Sequence, residues 1–189
     1  MPQIEFGPFN AVRAFIISLG MAMLVMSGQP ARAQAEITPF LGSYSGSAEL
    51  ENVDGTTQQR DMSVEISETK KGFRVQWTST TYKPDGRTKD KSYEIDFVPS
   101  DRDGVFAAAM KKNVFGHEVQ LDPMKGEPYV WGQIYGDTLT VYSLFVDAAG
   151  GYEIQQFDRT VVAGGLNLVF NRLRNGKKLS SVSTFLERE

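Results

Sequence analysis

The sequence predicts an all-β protein, an antiparallel up-and-down meander of about ten strands closed into a barrel. Three observations carry this. Apolar and polar residues alternate with a period of two through most of the chain, so each segment presents one apolar and one polar face. After residue 35, no apolar stripe of helical period lasts longer than two turns. Turn residues recur every 8–14 positions, a spacing that suits strands joined by tight hairpins.

Residues 1–35 stand apart from this pattern. Arg13 precedes an apolar run of 13 residues, Ala14 to Met26, which Gly28, Gln29 and Pro30 then interrupt. The run has signal-peptide length and falls short of the roughly 18–20 residues that span a bilayer. Two small-x-small sites follow, Ala31-Arg32-Ala33 and Ala33-Gln34-Ala35, so cleavage is expected after Ala33 or Ala35. An uncleaved anchor or a buried helix is the alternative reading of the same run. The expectation is therefore export to the periplasm or beyond, with 36–189 as a single β-barrel domain and no membrane span after cleavage. That portion holds 18 basic and 22 acidic residues.

Strands are read at 40–52, 59–68, 73–82, 89–98, 104–111, 128–135, 138–146, 152–162, 166–174 and 178–187. Asp54-Gly55, Asp85-Gly86 and Asn175-Gly176 supply the positive φ angles of tight hairpins, and Gly72, Gly136, Gly150-Gly151 and Gly164-Gly165 are read the same way. Short turns make consecutive strands antiparallel neighbours. So many strands twist and curl, and closure removes their exposed edges. The stretch 112–127 lacks a pattern. It is read either as a lid over a barrel mouth or as a short hairpin or helical turn.

One motif pair adds a resemblance. Phe40-Leu41-Gly42-Ser43-Tyr44 resembles the Gly-x-Trp start of the calycins, the superfamily of lipocalins and fatty-acid-binding proteins, with Tyr44 standing where the family has Trp. The family packs a basic residue of its last strand across that aromatic, and Arg188 is the matching position. The hairpin strand Gly136-Asp137-Thr138-Leu139-Thr140-Val141 is similar as well. The resemblance implies a barrel that binds a small apolar ligand.

Composition narrows the chemistry. The chain has 189 residues, 41% hydrophobic and 23% charged, which suits a folded domain. It has no cysteine, excluding disulfide staples, thiol nucleophiles and thiolate-bound metals. The net charge of -3 and the scattered lysines give no nucleic-acid footprint. His117 is the single histidine and has no Gly-x-Ser-x-Gly elbow beside it, so it is read as a loop residue. Asp101-Arg102-Asp103-Gly104 starts like a calcium loop, but the closing position is Lys112, so it is read as a polar turn. Glu94 and Asp96 alternate with Tyr93, Ile95 and Phe97, which puts the acids on the polar face rather than in a glycosidase dyad. No enzymatic activity, cofactor or metal is expected. Lys70-Lys71, Lys83, Arg87, Lys89, Lys91, Lys111-Lys112 and Lys177-Lys178 gather near turns. There they guard strand edges, and weak contact with envelope lipids is the functional alternative.

The aromatic residues are the main clue to function. Phe73, Val75 and Trp77 share one face, as do Tyr129, Trp131, Gln133 and Tyr135. The expected ligand-binding set is Tyr44, Trp77, Tyr93, Phe97, Trp131, Tyr135 and Arg172, enclosing an apolar or fatty-acid-like molecule. Arg159 and Arg172 both interrupt apolar strands. Arg172 alternates with Leu166, Leu168 and Phe170 and is preferred as the holder of an acidic head. The competing reading is an envelope structural or interaction protein whose barrel core is simply filled by these side chains.

Overall fold

The computed structural model describes residues 36–51, 55–109, 111–112 and 118–189. The signal-peptide segment with both cleavage sites, Asp54 and His117 lie outside the described residues. Twelve strands follow a short 3₁₀ turn at Thr38–Phe40: β1 (Gly42–Glu51), β2 (Thr57–Thr69), β3 (Gly72–Tyr82), β4 (Thr88–Pro99), β5 (Val105–Ala109), β6 (Lys111–Lys112), β7 (Glu118–Val119), β8 (Tyr129–Tyr135), β9 (Thr138–Val146), β10 (Tyr152–Val162), β11 (Gly165–Arg174) and β12 (Lys177–Arg188). Ten of them close an antiparallel barrel in meander order, and β12 returns to β1. The closed all-β meander is therefore the fold, with strand ends close to those the alternation predicts.

The unpatterned stretch resolves into small pieces. β6 and β7 pair as a two-residue ribbon. A 3₁₀ turn at Pro123–Lys125 follows, capped where Asp122 Oδ1 accepts from the Met124 amide at 3.0 Å. This connection leaves the same barrel end at which β2 and β4 begin, because β5 runs toward that end and β8 runs back from it.

Most predicted turns hold: Gly55, Gly86, Gly136, Gly150, Gly164, Asn175 and Gly176 all have positive φ. Gly72 does not, and another demand explains it. A Cβ there would run into the Phe97 carbonyl of the adjoining β4. Phe97 makes a second demand at Gly132, where a Cβ would lie 3.2 Å from its ring. Gly72 thus lets the β3 and β4 backbones approach closely, and Gly132 leaves room for the Phe97 ring inside the barrel.

One end of the barrel is packed solid. Phe73 stacks on Phe97 at 5.1 Å and meets Phe106 edge-on at 5.0 Å between centroids. Ile66, Leu139, Leu166 and Leu186 are buried with them, and Ile37 and Phe40 of the leading turn join the same core. Tyr44 OH donates to the Phe40 carbonyl at 2.9 Å, tying the turn beneath the first strand. At the seam, Tyr44 faces Arg188 across β1 and β12.

Candidate functional site

The filled end stops partway up the barrel. Above it lies a cavity of about 480 Å³, lined from β2, β3, β4, β10, β11 and β12. This volume is within the range of roughly 300–1,000 Å³ typical of small-molecule sites. Alternation along each strand supplies the lining. Arg60, Met62 and Val64 point inward from β2, Trp77 and Ser79 from β3, and Lys91 and Tyr93 from β4. Gln155, Phe157 and Arg159 come from β10, and Leu168, Phe170 and Arg172 from β11.

Four rings form a ladder across this space. Tyr93 stacks on Trp77 at 5.1 Å, Trp77 meets Phe157 at 5.6 Å, and Phe157 meets Phe170 at 4.7 Å. β3 and β10 stand on opposite sides of the barrel, so the contact between Trp77 and Phe157 bridges the lumen.

Arg159 sits at this bridge. It is 2% exposed, and its guanidinium carbon lies 5.6 Å from the Trp77 ring centre and 5.5 Å from that of Phe157. Neither Nε nor Nη1 has a hydrogen-bond partner. Burial pushes the guanidinium down to about 10, partly offset by the nearby Asp158. It remains cationic at neutral pH. Asp158 itself faces outward, where its Oδ1 accepts from Thr140 Oγ1 at 2.7 Å and from Gln156 Nε2 at 3.0 Å.

Arg172 is in a different state. Its Nε and Nη2 each donate to one Glu153 oxygen at 2.8 Å. These hydrogen bonds hold the Glu153 carboxyl below its ordinary range, against the upward push of burial. Arg60 Nε donates to Thr81 Oγ1 at 3.1 Å, and burial lowers its pKa.

The expected site residues divide by register. Trp77, Tyr93 and Arg172 line the cavity. Tyr44 and Phe97 are buried in the filled end. Trp131 and Tyr135 stand on the outer wall: Gly132, between them in the alternation, faces the Phe97 ring, Trp131 stacks on Tyr142 at 4.7 Å, and Tyr135 is 84% exposed. The expected set omitted Arg60, Phe157, Arg159 and Phe170. Alternation with Met62, Val64 and Ile66 marks Arg60 as inward, and the same rule places Arg159 with Phe157 and Val161. On the outer wall, Arg74 pairs with both Glu94 and Asp96, at 2.9 and 2.6 Å.

At the seam, the Arg188 guanidinium lies 5.8 Å from the Tyr44 ring centre, and its Nη2 donates to the Leu41 carbonyl at 2.8 Å. The last-strand base therefore packs across the first-strand aromatic, as the resemblance implies. The barrel is calycin-like in shape. No protein-family model matches the chain, and no curated protein matches it. Among solved structures, the S-type phycobiliprotein lyase CPES from Guillardia theta is similar at 7% identity and a TM-score of 0.36, over 87% of this chain and 98% of that one. So distant a likeness carries no functional argument, and the architecture rests on this chain's own strand pairing.

Proposed function

We propose that this barrel binds a small amphipathic molecule without transforming it, holding the apolar body against the ring ladder and an anionic group at Arg159. One observation carries the reading. A cation buried in an aromatic pocket at the cavity wall, with two nitrogens unpartnered, is costly in the empty protein and becomes favourable once an anion joins it. A wholly filled barrel, the competing reading, gives no reason for a cavity to open beside that cation. Part of the same proposal is that residues 1–35 direct the chain to the periplasm or beyond, where it would act as a carrier or buffer for its ligand.

The test is a fluorescence titration with dodecanoic acid and with dodecanol, alongside native mass spectrometry of gently purified protein. The acid should bind at least tenfold more tightly than the alcohol and shift the emission of Trp77. Arg159→Met should erase the preference while leaving alcohol binding in place. Equal affinity for acid and alcohol in the parent protein would remove Arg159 from this role.

A further inference from the structure

The charge inside the cavity exceeds what one anionic group needs. Four of its lining residues are basic, Arg60, Lys91, Arg159 and Arg172, and none is acidic. Glu153 satisfies Arg172. Among the described residues, no carboxylate pairs with Arg60, Lys91 or Arg159. Three cations thus face one cavity of about 480 Å³, and an anion bound among them would relieve their mutual repulsion.

These three are not grouped at one point. Val64 is the cross-strand partner of Trp77, and Trp77 touches Arg159. Arg60 lies four residues from Val64 along β2, about 13 Å toward the open end at the usual rise per residue. Lys91 points inward from β4, where its partner Ser79 leads back on β3 to Met62, the inward neighbour of Arg60 on β2. One positive position therefore lies deep in the cavity, against the Trp77 and Phe157 rings, and the other lies toward the mouth.

We infer that the ligand carries two separated anionic groups, one at each end of an apolar body, with Arg159 taking the inner group and Arg60 and Lys91 the outer. This rests on the proposed ligand-binding role and narrows it to a class, the long dianionic amphiphiles, rather than molecules with a single acidic head.

The probes are dodecanedioic acid, its monomethyl ester and dodecyl phosphate, titrated into the full chain at low and high salt. The diacid should bind at least tenfold more tightly than the monoester, and the gap should narrow as salt rises. Dodecyl phosphate carries its charge at one end and should gain nothing over dodecanoic acid. Arg60→Met and Lys91→Met should each shrink the ratio of diacid to monoester, while Arg159→Met should weaken both. Lys91 is exposed, so its replacement keeps the fold and the test stands even if Arg60→Met fails to fold. A monoester that binds as tightly as the diacid overturns the two-ended assignment, as does a gain confined to the phosphate. If none of the probes binds, the ligand-binding reading itself falls, an outcome distinct from monoester binding without a diacid gain.

Discussion

Arg172 is bound through two nitrogens to both oxygens of Glu153, each at 2.8 Å. A guanidinium held this way has its charge and its fork of donors already engaged. Removing the acid should release it. Glu153→Gln is expected to raise affinity for anionic ligands a few-fold, and Arg172→Met to leave the preference for acids over alcohols unchanged. A loss of that preference in Arg172→Met, measured by the same titrations, would return the anchor role to Arg172.

The pair also sets a pH dependence. A carboxyl whose folded pKa is depressed adds stability above its unfolded value, near 4.3, and loses that contribution as pH falls through the folded value. Glu153→Gln should therefore cost about 1 kcal/mol at pH 7, a modest figure because Arg172 is 43% exposed and rehydrates. The difference from the parent should shrink steadily below about pH 4. Denaturant melts at pH 7 and pH 3 check this, and a pH-independent cost would contradict it.

Arg159 should show opposite effects on stability and binding. Keeping an unpaired charge out of water costs several kcal/mol, and each ring contact returns only about 1–2. Arg159→Met is expected to stabilise the ligand-free barrel by about 1–2 kcal/mol, raising its melting temperature by several degrees. A lower melting temperature would mean that the guanidinium makes a structural contribution larger than its desolvation cost.

The two tryptophans should report separately. Trp77 belongs to the ring ladder, and Trp131 to the outer wall. Trp131→Phe should keep the ligand-induced change in emission, and Trp77→Phe should abolish it. The reverse pattern would move the site to the outside of the barrel.

Arg188 should matter for stability alone. Its ring contact with Tyr44 and its hydrogen bond to Leu41 close the seam, so Arg188→Ala should cost about 1–3 kcal/mol. Its ligand preference should match the parent's, since the seam contact lies in the filled end. Chemical denaturation with a parallel titration separates the two effects.

The amount legible beforehand differs from one feature to the next. Strand existence and order follow from local alternation and turn chemistry, which is why β8 and β9 fall at or within one residue of where the pattern puts them. Which face of β8 points inward does not follow. Tyr129, Trp131 and Tyr135 form the more aromatic face, yet the opposite one, with Val130 and Gly132, packs into the barrel. The space inside is already taken by the Phe97 ring, and a Cβ at Gly132 would crowd it at 3.2 Å.

By itself the sequence determined an all-β meander, its turns, the first-strand aromatic with its last-strand base, and the presence of arginines in apolar strands. These depend on neighbours along the chain, through backbone torsions and the two-residue period of side chains. Only the tertiary structure decided where the filled core ends and the cavity begins, and which arginine is left without a partner. Glu153 and Arg172 meet across two strands, whereas Asp158, next in sequence to Arg159, points through the wall to the other side. Proximity in space, set by register and closure, allots the counterion to one arginine and leaves the other bare.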